Sequence, residues 1–226
     1  MTDQEILEKV KSEVEPIYKK IKLWAHGYRH IENVVKAAKD LARMEKADEL
    51  LCQIAAYCHD LGRLEEEKRG LVDPIPGAPS QHAFFSVAPT KKILDELPIS
   101  DQDKKLILEA VGIHAVKKYE GDNKIALILQ DADRSDGFNK FAILRFGCFN
   151  CQIPMCKPKN DLEIDQQYKR IIKIMKQDQS VRQMMIRTLK HVSRWYDVLL
   201  NTESARIYLK DGYNSNNALL QKLEAL

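Results

Sequence analysis

No stretch of this sequence is apolar for long enough to span a bilayer, and its opening, MTDQEILEKVK, lacks the apolar core of a secretory signal. No block of like charge suggests a binding tail. The 36 Lys and Arg against 33 Asp and Glu leave a net charge of +3, too small to argue for a nucleic-acid partner. There is neither a Walker loop nor a Rossmann glycine fingerprint, so kinase-like and NAD-dependent readings have no support. Five cysteines, an odd number, fit a reducing compartment better than a disulfide framework. These absences predict a cytoplasmic protein with no membrane and no nucleic-acid polymer as partner. What remains is ordinary for a globular chain, 44% hydrophobic and 31% charged, and 226 residues can bury a substantial core.

No strand pattern competes with the 3.6-residue periodicity, so the fold class expected is all-α. Thr2 and Glu5 form a capping-box pattern ahead of Ile6, Leu7, Val10 and Val14, with Pro16 expected to kink or end that helix. In the next helix His30, Val34, Ala37, Ala38 and Leu41 share one face; His26 joins it only if the helix begins before Gly27. The stretch LCQIAAYCHDLGR (51–63) reads as a buried helix that ends in His59 and Asp60, with Gly62 as its stop. The prolines and glycines that follow predict a long surface loop over 65–80, with Glu65–Glu67 solvated. Ser80 is the expected cap of a helix carrying His82, with a kink or restart at Pro89. Ser100 caps the next, which carries His114, and a further helix after Gly121 aligns Ile125, Leu129, Ala132 and Asp133.

His30, His59, His82, His114 and Asp133 thus fall on or beside the apolar faces of five different predicted helices. Any one of them, taken alone, reads best as a core residue hydrogen-bonded to a neighbour. Burying them all in one small core asks for a separate compensating partner each time, whereas convergence on a metal satisfies them together. Ligands from facing helices of a bundle make that geometry reasonable.

The order His30, then His59-Asp60 within AAYCHDLGR, then Asp133 within DADRSDGF resembles the H…HD…D pattern of the HD superfamily of metal-dependent phosphohydrolases. The resemblance runs from about Trp24 to Gly147. It implies a helical-bundle HD domain over 1–147, leaving 148–226 as a C-terminal helical extension on the same core. It also implies His30, His59, Asp60 and Asp133 as the minimal ligand set, with Asp131 the rival for the last position. His82 and His114 match histidines of the two-metal members, in which Asp60 would bridge. The cofactor implied is one or two divalent ions; nitrogen and carboxylate donors admit Mn, Fe, Zn, Co or Ni.

The activity implied is hydrolysis of a phosphate ester or anhydride by metal-activated water, with a nucleotide or other small phosphorylated compound as substrate. Asp60, Arg63 and His26 are the candidate catalytic residues; Arg29, Lys117 and Lys118 are candidate substrate contacts, or else solvated charges. Arg134 and Asp136 are read as contributing to the site or forming a structural pair beside it. Two alternatives stay open. One is a mixed-valence di-iron oxygenase with the same ligand order, and the other is a non-catalytic HD binding module. Cys148, Cys151 and Cys156 lack a fourth zinc ligand nearby and read as packing residues. Beyond them, helices over Ile171–Met175 and Val181–Leu200 and a shorter terminal stretch are expected, with Met184, Met185, Leu189, Val192, Trp195 and Tyr196 as a core stripe. This extension could wall a pocket or support a homodimer.

Overall fold

Every regular element among the described residues is helical, as the periodicity predicts. The computed structural model describes residues 1–22, 27–71, 81–155 and 157–226. They form two compact units, Met1–Asp133 and Arg134–Leu226. Among the described residues, no helix is long and apolar enough to cross a membrane.

The first unit opens with α1 (Asp3–Tyr18), whose capping box is complete: the Glu5 amide donates to Thr2 Oγ1 and the Thr2 amide donates to the Glu5 carboxylate. Pro16 lies inside this helix, which ends shortly after it. Helix α2 (Tyr28–Glu45) begins after Gly27 and buries the expected stripe of His30, Val34, Ala37, Ala38 and Leu41. Helix α3 (Glu49–Cys58) starts at Asp48, whose carboxylate accepts from the Leu51 amide at 2.9 Å. Leu51, Cys52, Ile54, Ala55, Ala56 and Cys58 are all buried, so α3 is enclosed on nearly every side. It packs against α1, α2 and α6 (Asp101–Ile113), and the Tyr18 hydroxyl donates to the Tyr57 carbonyl to tie α1 to it.

The loop expected over 65–80 is partly wrong. Arg63–Lys68 forms a short helix, α4, because the amides of Glu65 and Glu66 both reach the Gly62 carbonyl and acidic residues occupy its positive end. It closes at Gly70, whose φ of 69° suits glycine. Glu66 is buried rather than solvated. Residues 72–80, including the expected cap Ser80, lie outside the described residues. Helix α5 (His82–Asp95) runs through Pro89 without a restart, since the proline removes one amide donor while the rest of the ladder persists. Ser100 caps α6 as expected, accepting from the Asp103 amide, and α7 (Lys124–Ser135) follows Asn123.

The second unit contains α8 (Lys140–Phe149), α9 (Asp161–Gln177), α10 (Gln179–Arg194), a π-helical turn (Trp195–Leu199) and α11 (Glu203–Glu224). Helix α11, at 22 residues, corrects the expectation of a short terminal stretch. Its Gly212 is a contact point: a Cβ there would come 2.2 Å from the Phe138 carbonyl. Met185, Leu189 and Val192 are buried as expected, whereas Met184 is exposed. Arg206 donates to the carbonyls of Tyr196 and Leu200, satisfying acceptors that the π turn leaves open. Cys148 and Cys151 are half-buried and join no candidate metal set among the described residues; Cys156 lies outside them.

Gly62 joins α3 to α4 at the closest approach to α5. A Cβ on it would lie 2.1 Å from the His82 carbonyl and 2.7 Å from the Ser86 amide, and its own amide donates to Ser86 Oγ at 2.8 Å. Gly62→Ala is therefore expected to push α5 away and to destabilise the protein by about 1–3 kcal/mol, as overpacking does. A urea midpoint unchanged by this substitution would contradict the close approach.

Candidate metal centre

Each chemically suited side chain sits at or near the end of a helix. His30 lies in the first turn of α2, and His82 is the first residue of α5. His59 caps the C-terminus of α3 with Asp60 next to it, and His114 caps the C-terminus of α6. Asp133 is in the last turn of α7. The four histidines and Asp60 are at most 4% exposed. The Asp133 side chain is 32% exposed, which leaves one side of the cluster facing solvent.

Asp60 is at the centre. Its Oδ2 lies 3.7 Å from His30 Nε2 and 3.8 Å from His59 Nε2. Its Oδ1 lies 3.2 Å from His82 Nε2 and 3.7 Å from His114 Nε2. Asp133 Oδ1 adds to the first group, 3.3 Å from His30 Nε2 and 3.8 Å from His59 Nε2. Three overlapping sets result: His30, His59 and Asp60; His59, His114 and Asp133; and Asp60, His82 and His114. In each, one donor atom per residue falls within 4.8 Å of the others. Asp131, the rival, is fully buried but belongs to none of these sets among the described residues.

The hydrogen bonds fix which imidazole nitrogens carry protons. His59 Nδ1 lies 2.7 Å from the Ala56 carbonyl, and His114 Nδ1 lies 2.7 Å from the Val111 carbonyl. A carbonyl only accepts, so both Nδ1 atoms donate, and in the neutral rings both Nε2 atoms are bare lone pairs. His59 Nε2 is buried without a hydrogen-bond partner, and it faces two carboxylates. His114 Nε2 meets His82 Nε2 at 2.9 Å. A buried lone pair directed at anions is unfavourable unless a cation lies between them. The donor set therefore fits a divalent metal by its chemistry as well as by its spacing.

Burial lowers the His59 pKa from 6.5 to about 4, against the opposing pull of Asp60 and Asp133. His82 falls to about 2, through burial first and then the nearby Arg63 and His114, with Asp60 opposing. Burial opposes ionisation of Asp60 and Asp133 as well, but there it is outweighed. Arg63 foremost holds Asp60 well below the usual carboxylate range, and the His30 hydrogen bond foremost does the same for Asp133. Neutral imidazoles beside ionised carboxylates are the states a metal requires.

The other candidates are placed unevenly. Arg29 is half-buried beside His30, and His26 lies outside the described residues. Lys117 and Lys118 are exposed in the bend after α6. Arg63 Nε donates to Asp60 Oδ1 at 3.2 Å and its Nη1 donates to Glu66 Oε2 at 3.0 Å, so it grips a cluster member directly. Asp136 is buried with Arg145 and Asn139 against it, and Arg134 donates to the Leu199 carbonyl. Glu66 was missed. The only sequence signal for it is its spacing of three from Arg63, on a helix too short to show periodicity.

Among the described residues, helix ends gather histidines and aspartates into sets that could hold a metal. Residues 27–137 match the family model described as HD domain, so that segment is an HD domain. Its fold is similar to that of YpgQ from Bacillus subtilis, solved in complex with ADP, at 18% identity and a TM-score of 0.64, covering 100% of this chain and 96% of that one. A selenomethionine structure of the same protein gives 17% identity and 0.63, covering 100% and 95%. A predicted HD superfamily hydrolase from an uncultured Thermotogales bacterium gives 24% and 0.50, covering 77% and 89%. No curated protein matches the chain.

The shifted histidines make the metal-free protein acid-sensitive. On unfolding, His59 regains a pKa near 6.5, so between pH 6.5 and about 4 the unfolded chain binds more protons than the folded one. Stability should therefore fall as pH drops through that window, and fall further where Asp60 and Asp133 protonate only on unfolding. The expected result is a Tm, measured in chelator, that declines steadily from pH 7 to pH 4.5. A Tm that rises over this range would refute the neutral, buried state of these rings.

Proposed function

We propose that this chain is a metal-dependent phosphohydrolase acting on a phosphate ester or anhydride of a small metabolite, with a nucleotide as the first substrate class to test. The observation that carries this reading is the convergence of six donors in which the two oxygens of Asp60 face separate pairs of histidines. His30, His59, Asp60 and Asp133 would hold one divalent ion, and Asp60, His82 and His114 a second. A cation so bound supplies Lewis acidity and lowers the pKa of a coordinated water towards about 7. The HD domain supports a phosphohydrolase family, and the solved complex of YpgQ with ADP supports trying nucleotides first.

The chain's own groups then have distinct tasks. The carboxylates of Asp60 and Asp133 are ionised at neutral pH and supply the negative charge that retains a cation. The apolar shell of α3 excludes water from one side of the cluster, and the partly exposed Asp133 marks the side open to a substrate. Arg29, beside His30, is the half-buried cation suited to a phosphoryl group. Arg63 acts on Asp60, which it orients through Nε.

Elemental analysis of the purified protein, with phosphate release from a nucleotide panel, tests the proposal. Bound Mn, Fe, Zn, Co or Ni with phosphate released is the expected result. His59→Ala and Asp60→Ala should each lower metal content and reduce turnover at least about a hundredfold, since each removes a group the reaction depends on. Circular dichroism must show both variants folded for the comparison to count. Folded variants that keep full metal and activity would refute the assignment; two irons that consume dioxygen without releasing phosphate would replace it with an oxygenase.

A further inference from the structure

Glu66 lies outside the H…HD…H…H…D pattern, yet it is 4% exposed and makes contacts on both sides of the second donor group. Its Oε2 accepts from Arg63 Nη1 at 3.0 Å, while Arg63 Nε donates to Asp60 Oδ1, the oxygen that faces His82 and His114. Its Oε1 accepts from the Gln81 amide at 2.8 Å, immediately before His82, and lies 3.9 Å from His82 Nδ1. One buried carboxylate thus spans from Asp60, through Arg63, to the start of the helix that presents His82.

The charge balance gives this arrangement a purpose. Arg63 puts a full positive charge on the same oxygen that a cation between His82 and His114 would use. Two positive charges this close in a poorly solvated site repel strongly. Glu66 offsets the guanidinium and holds it by its far nitrogen. We infer that Glu66 is a positioning residue for the second metal position: it neutralises Arg63 and fixes α5 so that Asp60, His82 and His114 accept a divalent cation. This rests on the reading that the cluster holds metal. It goes further by assigning the control of the second position to a residue outside the ligand set.

The test reads metal affinity rather than turnover, by calorimetric titration of chelator-treated protein with Mn²⁺. Three variants are compared with the wild type: Glu66→Gln, which removes only the charge; Glu66→Asp, which keeps it; and Glu66→Gln with Arg63→Gln, which removes both charges. The expected result is two equivalents bound by the wild type and, in Glu66→Gln, a second equivalent weakened about tenfold or more, the scale typical of residues that support metal ligands. Glu66→Asp should stay within about threefold of wild type, and the double variant should regain most of the loss, on the same scale. A purely structural role would not be rescued by removing Arg63 as well. If Glu66→Gln does not fold, the other two variants decide alone, and a double variant tenfold weaker than wild type overturns the inference. So does a Glu66→Gln protein with unchanged affinity, or a wild type that takes up only one equivalent. Failure to release phosphate from any nucleotide, with these affinities as expected, would overturn the hydrolase reading and leave the role of Glu66 standing.

Discussion

Asp60 is enclosed by protein, and each of its two carboxylate oxygens faces a different pair of imidazoles. Most of the first unit can be understood as what is needed to keep that carboxylate ionised where water cannot reach it. Burial alone would push its pKa up, so the fold supplies compensation, foremost the Arg63 guanidinium at Oδ1. His59 and His82 must in turn stay neutral to present lone pairs, which the same burial enforces. His59 and Asp60 then face one another with no proton between them, an arrangement that a bound cation would stabilise.

The backbone is arranged to the same end. Helix α3 is apolar nearly all round and lies among α1, α2 and α6, so its C-terminal His59 and Asp60 are delivered to the middle of the unit. The chain must then turn at once and pass tightly beside α5 to bring His82 within reach of Asp60. Only a residue without a side chain allows this: at Gly62 the α5 backbone is already where a Cβ would go. The sequence suggests Gly62 as a helix stop, and in the structure its close approach to α5 matters more.

What could be read in advance follows from how strongly each feature repeats. The inward faces of α2, α3 and α7 show clear helical periodicity, so the placement of His30, His59 and Asp133 on or next to buried stripes was legible. Asp131 against Asp133 was less so, since both lie near the interior and only side-chain direction separates them. Glu66 was hidden because it is the inward member of three consecutive glutamates on a helix of six residues. Helix α11 runs longer than expected, and only the nearby Phe138 carbonyl explains why glycine stands at position 212 within it. Local pattern reveals faces, but it does not reveal close approaches between segments distant in sequence.

The repeated use of helix C-termini joins secondary-structure physics to the chemistry of the site. The last carbonyls of an α-helix lack intrahelical donors and need partners when buried. His59 and His114 stand at the C-caps of α3 and α6, and each donates its Nδ1 proton to the carbonyl three residues earlier. One hydrogen bond therefore does two things: it satisfies an otherwise orphaned carbonyl and selects the tautomer that leaves Nε2 bare and inward-facing. A histidine in mid-helix would find that carbonyl already engaged and would need a separate acceptor to set its proton. Placing the rings at helix ends makes the helix itself the group that orients the ligand, the role that outer partners of metal-binding histidines generally fill.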